Sequence, residues 1–247
     1  MREVGSVPDG RDYDARRNRL LAAMRATDLD ALAAQVERVV LEQGEVLFEP
    51  DQECRSVWFP ERCVVSLMVV MAGGQSAEAA SVGLEGMVGA MGVLGGHRTV
   101  SRALVTVPGS AIRLPAPALR ERFEASPALR RLCLCHADAL LAQVLQLSAC
   151  AALHPLEARL CRLLLQLEDR IGSERHLPLT QDFLAGMLGV HRTTVTQAAK
   201  ALQRSGTIAY RRGRVSLLDR RPLERGTCEC YGAIRDRYER LTPVPGA

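Results

Sequence analysis

The chain has 247 residues, of which 47% are hydrophobic and 24% charged, so it can fill one large domain or two smaller ones and is not mainly disordered. Eight cysteines are too few for a disulfide-rich secreted scaffold. The net charge is only +4, but residues 28–126 carry 8 Arg against 13 acidic residues, whereas residues 154–222 carry 12 basic against 6 acidic residues. The basic second half favours an anionic partner for that part of the chain.

The first 27 residues carry no targeting signal. The segment MREVGSVPDGRDYDARR lacks the apolar core of a signal peptide, and the longest uncharged stretch, residues 139–156, contains glutamine, histidine and proline. We therefore expect a cytoplasmic protein that does not bind a membrane, with residues 1–27 as an N-terminal arm.

The next segment predicts a β-rich domain over residues 28–126. Asp28 can cap a helix through Val40, and from Leu41 onward short β-prone runs alternate with glycine turns. The predicted strands are Val46–Phe48, Val57–Phe59, Val64–Val70, Ala79–Val82, Ala103–Val107 and Ala111–Leu114. Many short strands at this spacing indicate a barrel or sandwich, which we assign as an effector or sensor domain.

A long apolar helix is predicted over residues 127–153. Ser126 and Pro127 supply an N-cap and a first-turn proline, and His154-Pro155 ends the helix. Because the helix is apolar nearly all round, it must bury more than one face, and a second copy of the chain would cover one of them. The predicted dimer contacts are Leu129, Leu132, His136, Leu140, Gln143, Val144 and Leu147.

Residues 179–206 carry the most informative motif. A short helix capped by Thr180 precedes a turn at Gly189, and a second helix begins near His191, with Val195, Ala198 and Ala199 on its apolar face. A β-hairpin with an arginine-rich tip follows. This order is typical of a winged helix-turn-helix, which we place at residues 154–222, with residues 223–247 as a C-terminal tail.

The exposed face of the second helix suits duplex DNA. Arg192 can fork onto guanine, Gln197 can pair with adenine or accept from cytosine, and Thr193 can reach a base edge, so these three are the predicted base readers. The predicted phosphate contacts are Thr180, Gln181, His191, Thr194, Thr196, Lys200, Arg211, Arg212 and Arg214. The alternative is an αα-hairpin packed inside a larger helical domain.

From Leu41 to about Asp219 the chain resembles the bacterial cyclic-AMP receptor / fumarate-nitrate regulator (Crp/Fnr) family, most specifically over Leu179–Gly206. The resemblance implies an α+β fold with an N-terminal double-stranded β-helix (jelly-roll) sensor, a dimerisation helix and a C-terminal winged helix-turn-helix. It also implies a homodimer on a palindromic operator in double-stranded DNA, and contact with RNA polymerase if the protein is an activator.

The sensor departs from the cyclic-nucleotide binders of that family. Their Gly-Glu-Leu/Ile cassette is replaced by residues 89–94, which lack the carboxylate, and Arg102 is one position later than the phosphate-binding arginine. We therefore expect no cAMP binding of the usual kind. The candidate effector-pocket residues are Met87, Gly89, Ala90, Met91, Val93 and Arg102. An apolar or gaseous ligand and an apo-active regulator remain open.

No catalytic or metal-binding motif is evident, so we expect neither an enzyme nor a metal site. The first cysteine is Cys54, so the N-terminal cluster of the iron–sulfur members has no counterpart, and Cys150 and Cys161 suit ordinary packing. Cys228 and Cys230 could bind metal or be oxidised. The leading hypothesis is a dimeric transcription regulator. The alternatives are a constitutive regulator with a vestigial sensor and a signalling subunit whose helix-turn-helix contacts proteins.

Overall fold

The computed structural model describes residues 14–171, 176–211 and 213–241. The N-terminal part comprises α1 (Arg19–Ala22), α2 (Ala26–Leu32), β1 (Glu37–Leu41), β2 (Val46–Phe48), β3 (Ser56–Pro60), β4 (Val64–Val70), β5 (Ser76–Val82), α3 (Ala90–Leu94), β6 (Arg102–Val107), β7 (Gly109–Pro115) and α4 (Ala116–Ala125). The remainder comprises α5 (Pro127–Leu153), α6 (Leu156–Ile171), β8 (His176–Leu177), α7 (Gln181–Leu188), α8 (Arg192–Arg204), β9 (Ile208–Arg211), β10 (Arg214–Leu217), α9 (Arg220–Gly226) and α10 (Cys230–Leu241).

The sensor domain consists of two antiparallel sheets. One has the strand order β2-β6-β4-β5 and the other β1-β7-β3. Trp58 of the smaller sheet shares an apolar cluster with Val65 and Val105 of the larger one, so the sheets pack face to face. The six predicted strands are all present, and the jelly-roll arrangement with a mixed α and β composition is confirmed.

The predicted helix from Asp28 to Val40 is wrong in its second half. Helix α2 ends at Leu32, and Glu37–Leu41 instead forms strand β1, which pairs with β7 in the register Val39↔Ala111. The β-branched pair Val39-Val40 gains a sheet edge there, which outweighs its helical periodicity. Asp28 is not the cap, because Arg25 precedes the helix and the Asp28 carboxylate is buried against Arg25, Arg122 and Ser126.

Helix α5 has the predicted bounds and three different surroundings. Leu129 and Cys133 pack in the core of the sensor, and Gln143 Nε2 donates to the Ser81 carbonyl oxygen of β5 at 3.2 Å. Ala139 and Leu147 pack against α10. Of the helices in the described part of the chain, α5 alone is long and apolar enough, by length and composition, to cross a membrane.

The described part of the C-terminal segment forms helices α9 and α10. Helix α10 lies along α5, with Ile234 and Tyr238 in their shared apolar cluster and the Tyr238 hydroxyl donating to Gln143 Oε1 at 3.0 Å. Arg220, at the start of α9, forms ion pairs with Glu168 and Asp169 of α6. Residues 220–241 therefore pack against both α5 and α6.

A buried ion pair joins the sensor to the DNA-binding part. Arg170, near the end of α6, places Nε 2.7 Å from Glu85 Oε1 and donates from Nη1 to Ser81 Oγ at 2.6 Å. Both charged side chains are only 7% exposed. A Cβ on Gly83 would lie 2.6 Å from the Arg170 side chain, so the absence of a side chain at residue 83 makes room for the arginine.

Replacing Glu85 with Gln is expected to remove the carboxylate in direct contact with the buried Arg170 guanidinium. Loss of one partner of a buried pair costs about 3–5 kcal/mol, so the midpoint of urea unfolding should fall by the corresponding amount. The double variant Glu85→Gln/Arg170→Met removes the orphaned charge and should recover much of the loss. Equal stability of Glu85→Gln and the unmodified protein would contradict the proposed role of this pair.

Candidate nucleic-acid interface and sensor

Local sequence rules set the geometry of the helix-turn-helix. Thr180 Oγ1 accepts from the Phe183 amide at 3.2 Å, which caps α7 as predicted. Gly189 ends α7 with φ +62°, in the left-handed region that glycine adopts at low cost. His191 precedes α8 in an extended conformation, and its side chain makes no capping hydrogen bond.

Helix α8 has one buried and one exposed face. Val195, Ala198 and Ala199 are almost fully buried against α6 and α7, as the apolar pattern predicts. On the opposite face, the side chains of Arg192, Thr193 and Gln197 are exposed and share one side of the helix. The three predicted base readers are therefore brought together on a solvent-facing surface, which we call the reading face.

The Arg192 guanidinium is paired with a carboxylate of α7. Its Nη1 lies 3.3 Å from Asp182 Oδ2, and both side chains are more than 60% exposed. Exposed pairs of this kind contribute little to stability, so a stronger acceptor can displace the carboxylate cheaply. Any other acceptor that binds the Arg192 guanidinium must therefore displace the Asp182 carboxylate.

The predicted phosphate contacts differ in availability. His191, Thr194 and Lys200 are exposed beside the reading face. Thr196 is not free, because its Oγ1 donates to Gln181 Oε1 at 2.8 Å and to the Arg192 carbonyl oxygen at 2.9 Å. Thr196 and Gln181 therefore hold α7 and α8 together.

The predicted wing is present as the hairpin β9–β10. Arg211 and Arg214 pair across the two strands at the tip of the hairpin and are exposed, whereas Arg212 lies outside the described residues. The hairpin is fixed to the start of α7, because Tyr210 Oη donates to the Leu179 carbonyl oxygen at 2.9 Å. The wing arginines and the N-terminus of α7 therefore belong to one continuous surface.

The turn of the helix-turn-helix rests on the sensor. Helix α7 packs on β5, and a Cβ on Gly189 would lie 3.2 Å from Ala77 Cβ. A groove between the two parts is lined by Val69 and Met71 on the sensor side and by Val190 and His191 on the other. A shift of the β4–β5 hairpin would therefore act directly on the start of α8.

The candidate effector-pocket residues differ in burial. Met87, Ala90 and Val93 are buried in the sensor core, whereas Met91 is exposed. Gly89 begins α3, with φ +91°. A Cβ on Gly92 would lie only 2.1 Å from Cys54 Cβ, so α3 is in close contact with the loop before β3.

Arg102 also lies apart from the cassette interior. Its guanidinium pairs with Glu49 at 2.9 Å, and both side chains are more than one-third exposed. The hydrogen bond from Arg102 to Glu49 raises the pKa of Arg102, so its charge is already compensated within the sensor.

His136 connects α5 to the loop before α3. Its Nε2 lies 3.0 Å from the Met87 carbonyl oxygen, and a Cβ on Gly86 would lie 2.5 Å from its Cε1. Burial lowers the pKa of His136, so the ring is neutral at neutral pH. This residue is an internal contact of one chain.

Most of the predicted dimer contacts face inward. Five of them are at most 8% exposed and pack within the chain, because the sensor and α10 cover that side of α5; they are Leu129, His136, Leu140, Gln143 and Leu147. Leu132 and Val144 are half-buried against the same clusters. The exposed apolar stripe consists instead of Leu134, Leu141 and Leu145, which are 50–63% exposed.

A second group of residues meets at the end of α5. Their ligand atoms all lie within 4.8 Å of one another, and we call them the cysteine–histidine cluster: Cys150, His154, Cys228 and Cys230. The sequence alone favours no metal site and ordinary packing for Cys150. The i, i+4 spacing of Cys150 and His154, which places both on one side of a helix, was the only local signal of this cluster. The return of residues 228–230 to the end of α5 is a tertiary contact, which local sequence patterns do not reveal.

Two family models match the chain. A cyclic nucleotide-binding domain matches residues 38–126, and a Crp-like helix-turn-helix domain matches residues 158–225. The chain belongs to the Crp/Fnr family of transcription regulators. A comparison with curated protein sequences finds no match. The family is one of transcription regulators.

Solved structures of this family share the fold. FixK2 from Bradyrhizobium japonicum superposes with a TM-score of 0.67 at 14% identity, covering 78% of this chain and 98% of that one. A CRP/FNR-family transcriptional regulator from Thermus thermophilus gives 0.63 at 24% identity, covering 77% and 97%. The c-di-GMP responsive global regulator CLP from Xanthomonas campestris gives 0.62 at 17% identity, covering 79% and 100%.

Proposed function

We propose that this Crp/Fnr-type regulator acts as a homodimer that binds a palindromic operator and controls transcription in the cytoplasm. The observation that carries the proposal is the reading face of α8, where Arg192, Thr193 and Gln197 share one exposed side above a buried apolar face. Such a helix fits the major groove, and its N-terminal residues are the ones that approach base edges.

The reading face supplies different kinds of base contact. Arg192 offers a planar pair of donors for guanine O6 and N7, and Gln197 offers a donor and an acceptor for adenine. Thr193 offers a hydroxyl and a methyl group, the latter suited to thymine. Binding requires Arg192 to leave Asp182, which the exposure of that pair makes inexpensive.

Phosphate contacts would fix the orientation of the helix on the duplex. His191, Thr194 and Lys200 flank the reading face, and Arg211 and Arg214 extend the basic surface along the wing. Thr180 and Gln181 lie at the N-terminus of α7, where backbone amides favour an anion, although both side chains also serve the helix-turn-helix itself. Thr196 is assigned a structural part only. Arg212 is still proposed as a phosphate contact, on the basis of its position in the sequence alone.

The dimer would form along the exposed stripe of α5. Leu134, Leu141 and Leu145 are separated by seven and four residues, the spacing of a coiled-coil seam. A second copy of α5 would bury these leucines, and the two-fold axis would then set two copies of α8 about one DNA turn, or about 34–36 Å, apart. This face replaces the inward face that the sequence predicted.

The sensor would influence DNA binding through two contacts. The Arg170–Glu85 pair joins α6 to the loop that leads into α3, and the β4–β5 hairpin touches the turn before α8. A ligand that favours one arrangement of these contacts would shift the population of the DNA-binding form. A constitutive regulator in which the sensor is vestigial is the alternative within the same class.

The sensor is proposed not to bind cAMP in the usual way. The cassette lacks a carboxylate for the ribose, and Arg102 is paired with Glu49. The burial of Met87 and Val93 favours a small apolar or gaseous effector over a nucleotide. If the protein is an activator, RNA polymerase is a further partner.

Arg192→Ala tests the reading face. We expect it to weaken binding to the preferred sequence by about 1–3 kcal/mol and to relax base choice at one position of each half-site. Asp182→Asn should tighten binding, because it removes the carboxylate that pairs with Arg192 and a negative charge that repels the DNA phosphates. Fluorescence anisotropy with the promoter of the protein's own gene, over a series of salt concentrations, measures both effects.

Arg55→Ala is the matched control, since it removes an exposed arginine from the sensor, where the side chain is 85% exposed. Equal affinity of Arg192→Ala and Arg55→Ala for the promoter would contradict the reading face. A complete lack of DNA binding at low salt would favour the signalling-subunit alternative, in which the helix-turn-helix contacts proteins.

Leu141→Glu tests the dimer. A charge in the middle of the stripe should convert the dimer to a monomer, as measured by sedimentation equilibrium, and reduce operator affinity with it. Val100→Glu places the same charge at a residue that is 72% exposed on the sensor and should leave the dimer intact. A dimer that survives Leu141→Glu would place the interface elsewhere.

Titration calorimetry tests the cassette. We expect no heat of binding for cAMP at micromolar concentrations. The carboxylate that would hold the ribose is absent, and the arginine nearest to the phosphate-binding position, Arg102, is paired with Glu49. Micromolar binding of cAMP would overturn this part of the proposal.

A further inference from the structure

We propose that the cysteine–histidine cluster binds one thiophilic divalent metal ion, of which Zn²⁺ is the type. Three thiols and one imidazole are the Cys₃His ligand set of structural zinc sites. The ligands come from the last turn of α5, from the residue that ends it, and from the connection into α10. This site is separate from the reading face and from the sensor cassette.

The distances suit a single ion. Cys150 Sγ lies 3.6 Å from Cys228 Sγ, and Cys230 Sγ lies 3.5 Å from His154 Nδ1. In a tetrahedral site with Zn–S bonds of about 2.3 Å, neighbouring sulfurs are about 3.8 Å apart. The four ligand atoms therefore need only small shifts to surround one ion. A cluster of two or four irons is larger and holds its ligand sulfurs farther apart, so iron–sulfur chemistry fits this group less well.

The histidine is oriented as a metal ligand. His154 Nε2 lies 3.1 Å from Glu229 Oε2, while Nδ1 faces Cys230. A carboxylate that accepts from one ring nitrogen fixes the proton there and leaves the lone pair of the other nitrogen for the metal. Such a carboxylate is a usual hydrogen-bond partner of a histidine that binds a metal. Gln146 Nε2 donates to Cys230 Sγ at 3.0 Å, and this hydrogen bond stabilises a thiolate.

Burial and charge also match a bound ion. The three cysteines are at most 6% exposed, whereas His154 is partly exposed and Glu229 is open to solvent, which gives an entry path on one side. Three thiolates and a divalent ion carry a net charge of −1. The guanidinium groups of Arg159 and Arg162 act electrostatically on Cys150 and would offset it.

The place of the cluster gives metal binding a consequence. His154-Pro155 is the hinge between α5 and α6, and α10 begins at Cys230. An ion held by all four residues would tie this hinge to α10 and so restrict the movement of the DNA-binding part against α5. This consequence rests on the proposed function, whereas metal binding itself does not.

The test is a Co²⁺ titration of the full-length, metal-free protein under reducing conditions and without DNA. We expect one Co²⁺ per chain, with the visible absorption of tetrahedral Co²⁺ and a thiolate charge-transfer band, both abolished by Zn²⁺. Cys228→Ser should lose the charge-transfer intensity and at least tenfold in affinity. Cys135→Ser, which removes an exposed cysteine of α5, should behave like the unmodified chain.

Glu229→Gln distinguishes a ligand set from a chance cluster. It should retain the tetrahedral spectrum and lower metal affinity by about 10–100-fold, because the histidine loses its orienting carboxylate. If Cys228→Ser does not fold by circular dichroism, alkylation of the unmodified protein decides: Zn²⁺ should protect the three cysteines of the cluster and leave Cys135 reactive.

Three results would overturn the proposal. They are no stoichiometric Co²⁺ or Zn²⁺ binding by the reduced protein, binding that is unchanged in a folded Cys228→Ser variant, and assembly of an iron–sulfur cluster on these cysteines in preference to a single ion.

The link between metal binding and DNA binding has a separate test. Removal of the ion with a chelator should change operator affinity in the unmodified protein and not in Cys228→Ser. Metal binding without that change would support the site and reject only its link to DNA.

Discussion

The architecture depends on the surplus apolar surface of α5. A helix of 27 residues that is apolar nearly all round cannot be covered by one neighbour, so the fold surrounds it. The sensor covers the side of Leu129 and Leu140, and α10 covers Ala139 and Leu147. The remaining stripe of exposed leucines is the surface that the proposed dimer would bury. The end of the same helix carries two members of the cysteine–histidine cluster, so the sensor contacts, the proposed dimer face and the proposed metal site all involve one element.

The contact between the sensor and the DNA-binding part is polar at its centre. Arg170 crosses from α6 to Glu85 and Ser81, and its charge is too deeply buried to be left without a partner. Around it the apolar core is continuous, since Val64 and Val107 of the sensor share a cluster with Leu164. A buried ion pair has a narrow range of good geometries, so movement of the loop before α3 would be transmitted to α6. Glu85, the carboxylate that pairs with Arg170, thus lies in the loop that leads into the cassette at residues 89–94.

The local patterns in the sequence predicted much of the fold. Six of the seven sensor strands, both ends of α5, the cap at Thr180 and the turn at Gly189 follow from residues close to one another in the chain. The failures came from distant contacts. Val39 and Val40 pair with β7, which helical periodicity cannot reveal. Helix α10 covers part of the face of α5 on which the sequence predicted the dimer contacts. The same return of the chain assembles the cysteine–histidine cluster. The reading face was predictable because it lies on a single helix.

In the proposed complex, a dimer reads DNA with two copies of α8 that the exposed stripe on α5 holds one helical turn apart. Selection of bound sequences from a randomised DNA library with the full-length protein tests it most directly. We predict an enriched palindrome whose half-sites are centred about 10–10.5 base pairs apart, with a guanine in each half-site that Arg192→Ala no longer selects. Enrichment of no motif, or of one asymmetric site that is unchanged by Arg192→Ala, would contradict it.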